Sequence, residues 1–151
     1  MLEIYVDADG CPVKDEVYRV AGRYRLTVWV VANAWLRVPD DLRVRRVTVT
    51  EGLDRADDWI AERIRLGDIA ITADVPLAAR CVRRGARAIT PDGRRFHQSS
   101  MGAALAERNL MTALREAGEI RGGGRAFNRK DRAHFLNALD AAIQAIRRTG
   151  R

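Results

Sequence analysis

Three groups of aspartates carry the chemistry that this sequence could do. Asp7 and Asp9 follow the apolar run LEIYV, Asp57 and Asp58 lie in DRADDWI just after Asp54, and Asp74 closes DIAITAD. Any one of them can cap a helix, where a short carboxylate meets free N–H groups and the positive end of the helix dipole. Capping does not need two acids at positions 7 and 9, nor two more at 57 and 58. Carboxylates held together repel, and a hard divalent cation relieves the repulsion. Mg²⁺ or Mn²⁺ takes a few carboxylate oxygens and keeps other positions for water and phosphate. Such an ion supports phosphodiester hydrolysis by polarising the phosphate and activating water. The expected metal set is Asp7, Asp9, Asp57, Asp58 and Asp74. Asp7 and Asp74 are the catalytic candidates, with Lys14 one helical turn past the first pair and able to reach back to them.

A polyanionic substrate needs cations as well as a metal. The chain of 151 residues has a formal net charge of +7, and the charge is uneven: residues 1–75 are net −3 and residues 76–151 net +10. The basic half contains RGGGRAFNRKDR, where Arg121, Arg125, Lys130 and Arg132 surround a glycine triplet. Flexible backbone beside guanidinium groups suits phosphate contact, and these residues with Lys14 are the expected nucleic-acid-binding set. No G-K-[ST] follows the glycines, so a P-loop is excluded. Trp35 and Phe127 offer stacking surfaces, whereas helical spacing assigns Trp59 and Phe135 to the core. Cys11 and Cys81 form no C-x-x-C pair and are expected as free thiols, and His97 and His134 lack zinc-type spacing.

These residues must be positioned by alternating elements. Strands are expected at the short runs 2–6, 26–31, 44–50, 68–72 and 86–90, with the valines of 44–50 interleaved with Arg and Thr. Helices are expected from Pro12 to a stop at Gly22, from an Asp54 cap to a stop at Gly67, and from an Asp74 cap to Gly85. Residues 91–98 read as a turn-rich loop, and residues 99–117 and 128–148 as two further helices. The alternation specifies a single α/β domain over 1–151, with an open, mainly parallel sheet of about five strands and two additional C-terminal helices. Ligands of such sheets bind at the carboxyl ends of the strands, where all three aspartate groups fall.

The segments VDADGCPVK (6–14), GLDRADDWI (52–60), GDIAITADVPLA (67–78), GGGRAF (122–127) and DRAHFLNALD (131–140) resemble the YaiI/YqxD family of bacterial proteins. That family is similar to the PIN-like superfamily, whose members are mostly metal-dependent ribonucleases with a three-layer α/β/α fold and an acidic pocket. The resemblance implies acids at Asp7 and Asp9, at Asp57 or Asp58 and then Asp54, and at Asp74, with Asp131 approaching from the last helix. The DADGCPVK opening, with its Pro and Cys, departs from the usual PIN opening.

The leading expectation is a metal-dependent nuclease acting on nucleic acid, RNA by preference, with Mg²⁺ or Mn²⁺ as cofactor. Two alternatives stand beside it. D-x-D at a first strand end also resembles haloacid-dehalogenase-type phosphatases, in which Asp7 would be the nucleophile. A non-catalytic RNA-binding module would use only the basic half. No run approaches the ~18 apolar residues of a membrane span, and the N-terminus has no secretory pattern. The expected setting is cytoplasmic, without membrane partners, and compatible with a homodimer.

Overall fold

The computed structural model describes residues 1–49, 55–97 and 127–150. The elements are β1 (Ile4–Asp7), α1 (Lys14–Tyr24), β2 (Val28–Ala32), β3 (Val44–Thr48), α2 (Ala56–Arg63), β4 (Ile69–Ile71), α3 (Val75–Arg83), β5 (Arg87–Ile89), β6 (Arg95–Phe96) and α4 (Arg129–Thr149). One sheet runs in the order β3-β2-β1-β4-β5-β6, parallel except for the last pairing.

The period of two along each strand sends alternate residues to opposite faces, and both faces are covered. Ile4, Val6, Val30, Ile69 and Ile71 meet α1 and α4 in a core that includes Val17, Val20, Phe135, Leu139 and Ile143. Tyr5, Val31 and Ala70 face the other way, onto Ile60 and Ala61 of α2 and Leu77 and Cys81 of α3. The result is a three-layer α/β/α arrangement of PIN-like architecture. Phe135 is fully buried, as its spacing required, and truncating it to alanine would cost about 3–5 kcal/mol. Among the described residues no helix is long and apolar enough to cross a membrane.

Several boundaries differ from expectation for local reasons. Helix α1 runs through Gly22 to a C-cap at Arg25, which takes the left-handed conformation with φ 55°. The last turn is held from outside, because Tyr24 donates its hydroxyl to Asp140 Oδ1 of α4 at 2.6 Å. Helix α2 ends at Arg63, before Gly67, because Ile64 turns extended and buries its side chain completely. The 91–98 segment contains the sixth strand: Gly93, at φ 93°, turns the chain so that β6 returns antiparallel to β5 and buries Phe96. Helix α4 starts with a capping box in which Asn128 and Asp131 each accept the other's backbone N–H. The helix expected at 99–117 lies outside the described residues.

Candidate functional site

The strand order reverses beside β1. The chain reaches β2 on one side of it through α1 and returns to β4 on the other, so a crevice opens above the carboxyl ends of β1 and β4. Asp7 is the last residue of β1, and the pairing of Val6 with Ile71 brings Thr72 beside it. The Thr72 hydroxyl donates to Asp7 Oδ2 at 2.7 Å and accepts the Asp74 N–H at 2.9 Å. Asp74 in turn caps α3, accepting the Leu77 N–H at 3.2 Å. One hydroxyl thereby links the Asp7 carboxylate to the backbone N–H of Asp74, 67 positions away.

A second chain of hydrogen bonds runs along the same edge. Asp9 Oδ2 accepts the Asn33 N–H just after β2 at 2.9 Å, and Asn33 Oδ1 accepts the Ala56 N–H at the start of α2 at 3.4 Å. This anchors the first turn of α2, which carries Asp57, toward the crevice. Burial pushes the Asp7 carboxyl up; the Thr72 hydrogen bond opposes this, and the charges of Asp74, Asp9 and Asp57 add to it. Asp7, Asp9, Asp57 and Asp74 therefore share one electrostatic neighbourhood. Asp58 is engaged elsewhere, accepting from Arg80 Nη1 of α3 at 2.8 Å.

The basic candidates are placed less uniformly. Lys14 does reach back, and its Nζ donates to the carbonyls of Cys11 at 2.8 Å and Ala8 at 3.4 Å, closing the loop that follows Asp7. Arg132 ties α4 to α1 through the Pro12 carbonyl at 2.7 Å and Glu16 at 3.3 Å, and lies over the Phe127 ring at 4.9 Å. Lys130 is exposed on the first turn of α4. Asp131, which the resemblance brought toward the acids, is buried in the helix cap. Arg121, Arg125 and Asp54 lie outside the described residues. Cys11 is buried and its thiol pushed up by that burial, which keeps it protonated rather than activated. Trp59 lines the rim of the molecule half-buried instead of filling the core.

Thr72 and Asn33 are the residues that sequence reasoning passed over. A signal for Thr72 exists, since an apolar parallel strand that ends one residue beyond its neighbour's partner places that residue next to the strand-end acid. Asn33 has no comparable signal. Among the described residues no three His, Cys, Asp or Glu side chains stand in a ready metal-holding arrangement. The donor set around Asp7 is nevertheless all carboxylate oxygen, the chemistry that hard divalent ions prefer.

Fold and edge together define a class: an α/β/α protein of PIN-like architecture with carboxylates gathered at its topological switch point. Within that class the chain belongs to a particular family, since residues 5–145 match the one described as "Uncharacterized BCR, YaiI/YqxD family". It is 59% identical over 148 residues to a UPF0178 protein of Rhodopseudomonas palustris strain TIE-1, covering 98% of this chain and 94% of that one. A UPF0178 protein of Nitrobacter winogradskyi is 56% identical over 147 residues, covering 97% and 94%. One from Bradyrhizobium diazoefficiens is 55% identical over 145 residues, covering 96% and 87%. No solved structure matches the chain.

Proposed function

We propose that the protein is a metal-dependent nuclease acting on RNA, with Asp7 at its centre. The observation that supports this reading is the raised carboxyl of Asp7, buried and facing the charges of Asp74, Asp9 and Asp57 at the switch point. Holding four acids in mutual repulsion costs stability, and a divalent cation is what makes the arrangement useful. Asp7, Asp9, Asp57 and Asp74 are the residues that would hold Mg²⁺ or Mn²⁺. When bound, the ion supplies a polarised phosphodiester and an activated water.

The remaining work falls to this chain's own groups. Thr72 fixes one oxygen of Asp7 by donating its hydroxyl to Oδ2. Lys14 stiffens the loop after Asp7 and places an ammonium within the field of that loop. Lys130 and the arginines of the basic half give the phosphate backbone its counter-charge, so affinity should fall as salt rises. The test is Mn²⁺-dependent cleavage of a single-stranded RNA by purified protein. Asp7→Asn and Asp74→Asn are each expected to abolish it, as is chelation. Cleavage that survives both substitutions would rule the mechanism out.

A further inference from the structure

Among the described residues the sheet ends at β3, which pairs on one side only, with β2. The loop over residues 33–43 runs from the carboxyl end of β2 back to the start of β3 without a helix. Leu36 and Val38 turn inward onto the core shared with α1 and α4, while Trp35 and Arg37 stay exposed. An exposed tryptophan alone means little. This one has company. Arg46 of β3 pairs with Val30 of β2, so both side chains lie on the face that the loop covers. Its guanidinium stands 4.9 Å over the Trp35 ring. With that contact in place Trp35 is still 64% exposed, so the stacked cation leaves ring surface for a second flat group. A ring with a guanidinium against it can stack a base and meet its phosphate.

Charge and position point the same way. Between residues 35 and 46 there are four arginines and two aspartates, a local positive excess inside the half of the chain that is net −3. Asp41 accepts the Arg43 N–H at 2.9 Å, which holds it in the turn that enters β3. Among the described residues none of Arg37, Arg43, Arg45 and Arg46 is ion-paired. Arg45 lies on the other face of the edge strand, 5.4 Å from the Trp29 ring. The patch also adjoins the carboxylates. Trp35 stands two residues after Asn33, whose N–H is held by Asp9 at 2.9 Å, and two residues of chain span at most ~7 Å.

We propose that this edge is a platform for single-stranded RNA, with one base stacked on Trp35, phosphates on Arg37 and Arg46, and the strand leading on to Asp9. The choice of RNA rests on the nuclease reading above; the platform rests on Trp35 and its arginines. A single strand is required because bases inside a duplex offer no open face to a ring. An acidic peptide would meet the arginines but brings no flat group to the tryptophan.

Fluorescence anisotropy of a labelled oligouridylate dodecamer tests it, on the full chain with chelator present so that no strand is cut. Trp35→Ala should weaken binding about tenfold, the scale of one lost base stack. Arg37→Gln and Arg46→Gln should each weaken it and lower the slope of log affinity against log salt by about 0.7, the share of one phosphate on a single strand. Arg65→Gln, the same change before β4 at the amino end of the sheet, should alter neither. All four positions are exposed or nearly so, and the variants should keep the fold. Binding of the same strand in a duplex should not depend on Trp35. Cleavage with Mn²⁺ separates this proposal from the nuclease reading: Trp35→Ala should raise KM and leave kcat unchanged. A protein that cuts no RNA but binds it through Trp35 and both arginines keeps the platform and loses the nuclease reading. One that cuts RNA with binding indifferent to Trp35 does the reverse. Displacement of the strand by polyglutamate at equal charge, or equal losses from Arg65→Gln and Arg46→Gln, would also overturn the platform.

Discussion

Asp7 and Asp68 are the same residue type at opposite edges of one sheet, and burial raises both carboxyls above the ordinary range. Their surroundings differ. Asp68 accepts two backbone N–H groups, from Glu3 at 2.9 Å and Arg65 at 3.0 Å, so it staples the start of β1 to the turn before β4. Asp7 has one side-chain hydroxyl and three neighbouring acids. A buried acid whose oxygens are used up by the backbone is part of the fold. One left facing like charges is a liability that chemistry must justify.

The largest expected effect separates the two by activity. Asp7→Asn keeps the Thr72 hydrogen bond through its amide oxygen but removes the charge, and RNA cleavage should fall by roughly a hundredfold or more, as when a charged group is lost at a reacting centre. Its melting temperature should hold or rise, because the repulsion is gone. Asp68→Asn reverses the pattern. An amide offers one acceptor where the carboxylate used two, so the variant should lose about 1–3 kcal/mol, near 2–4 °C per kcal/mol for a chain of this size. Cleavage per folded molecule should stay at the parent level. Were Asp68→Asn to kill activity at full stability, the division between the two edges would be wrong.

A smaller effect divides the two acids of α2. Asp57 contributes to the field at Asp7, whereas Asp58 accepts from Arg80 with both side chains more than a third exposed. Asp57→Asn should reduce cleavage about tenfold, because three of the four metal-holding carboxylates remain. Asp58→Asn should leave cleavage nearly intact and cost at most about 1 kcal/mol, as exposed ion pairs do. Equal losses from both would return Asp58 to the site.

What the sequence made legible follows from how local each signal is. Asp7 and Asp74 could be found because apolar strands end directly before them and a parallel sheet gathers strand ends. Asp57 and Asp58 could be found only as a pair, since the arginine that claims Asp58 lies 22 positions away. Thr72 and Asn33 were hidden because neutral residues carry no charge pattern. The helix that ran past Gly22 was misjudged because Tyr24 is held by Asp140, a contact between α1 and α4. The cluster of Tyr5, Trp29 and Trp59 at the amino ends of the strands, with ring centroids 5.7–6.4 Å apart, was least legible of all. Glu3, Trp29 and Asp68 stand at the amino starts of three different strands, and Trp59 shares the helical spacing of the buried Ile60 and Ile64 while sitting at the rim.

The smallest predicted effect is a pH slope, and it tests the comparison through stability alone. A carboxyl raised in the folded state binds its proton more tightly there than in the unfolded chain. Between the ordinary carboxylate value of 3.8 and the raised one, the folded protein holds more protons, so stability falls as pH rises through that window and is restored as pH drops. Wild type should therefore gain on Asp7→Asn as pH is lowered from 7 toward 4. Mn²⁺ at neutral pH should narrow the gap in the same direction, because a cation and a proton relieve the same repulsion. Melting curves of the two proteins with and without Mn²⁺ across pH 4–7 measure both effects. If the metal shifts wild type and Asp7→Asn alike, Asp7 is only a buried acid, and the two edges of the sheet differ less than their hydrogen bonds say.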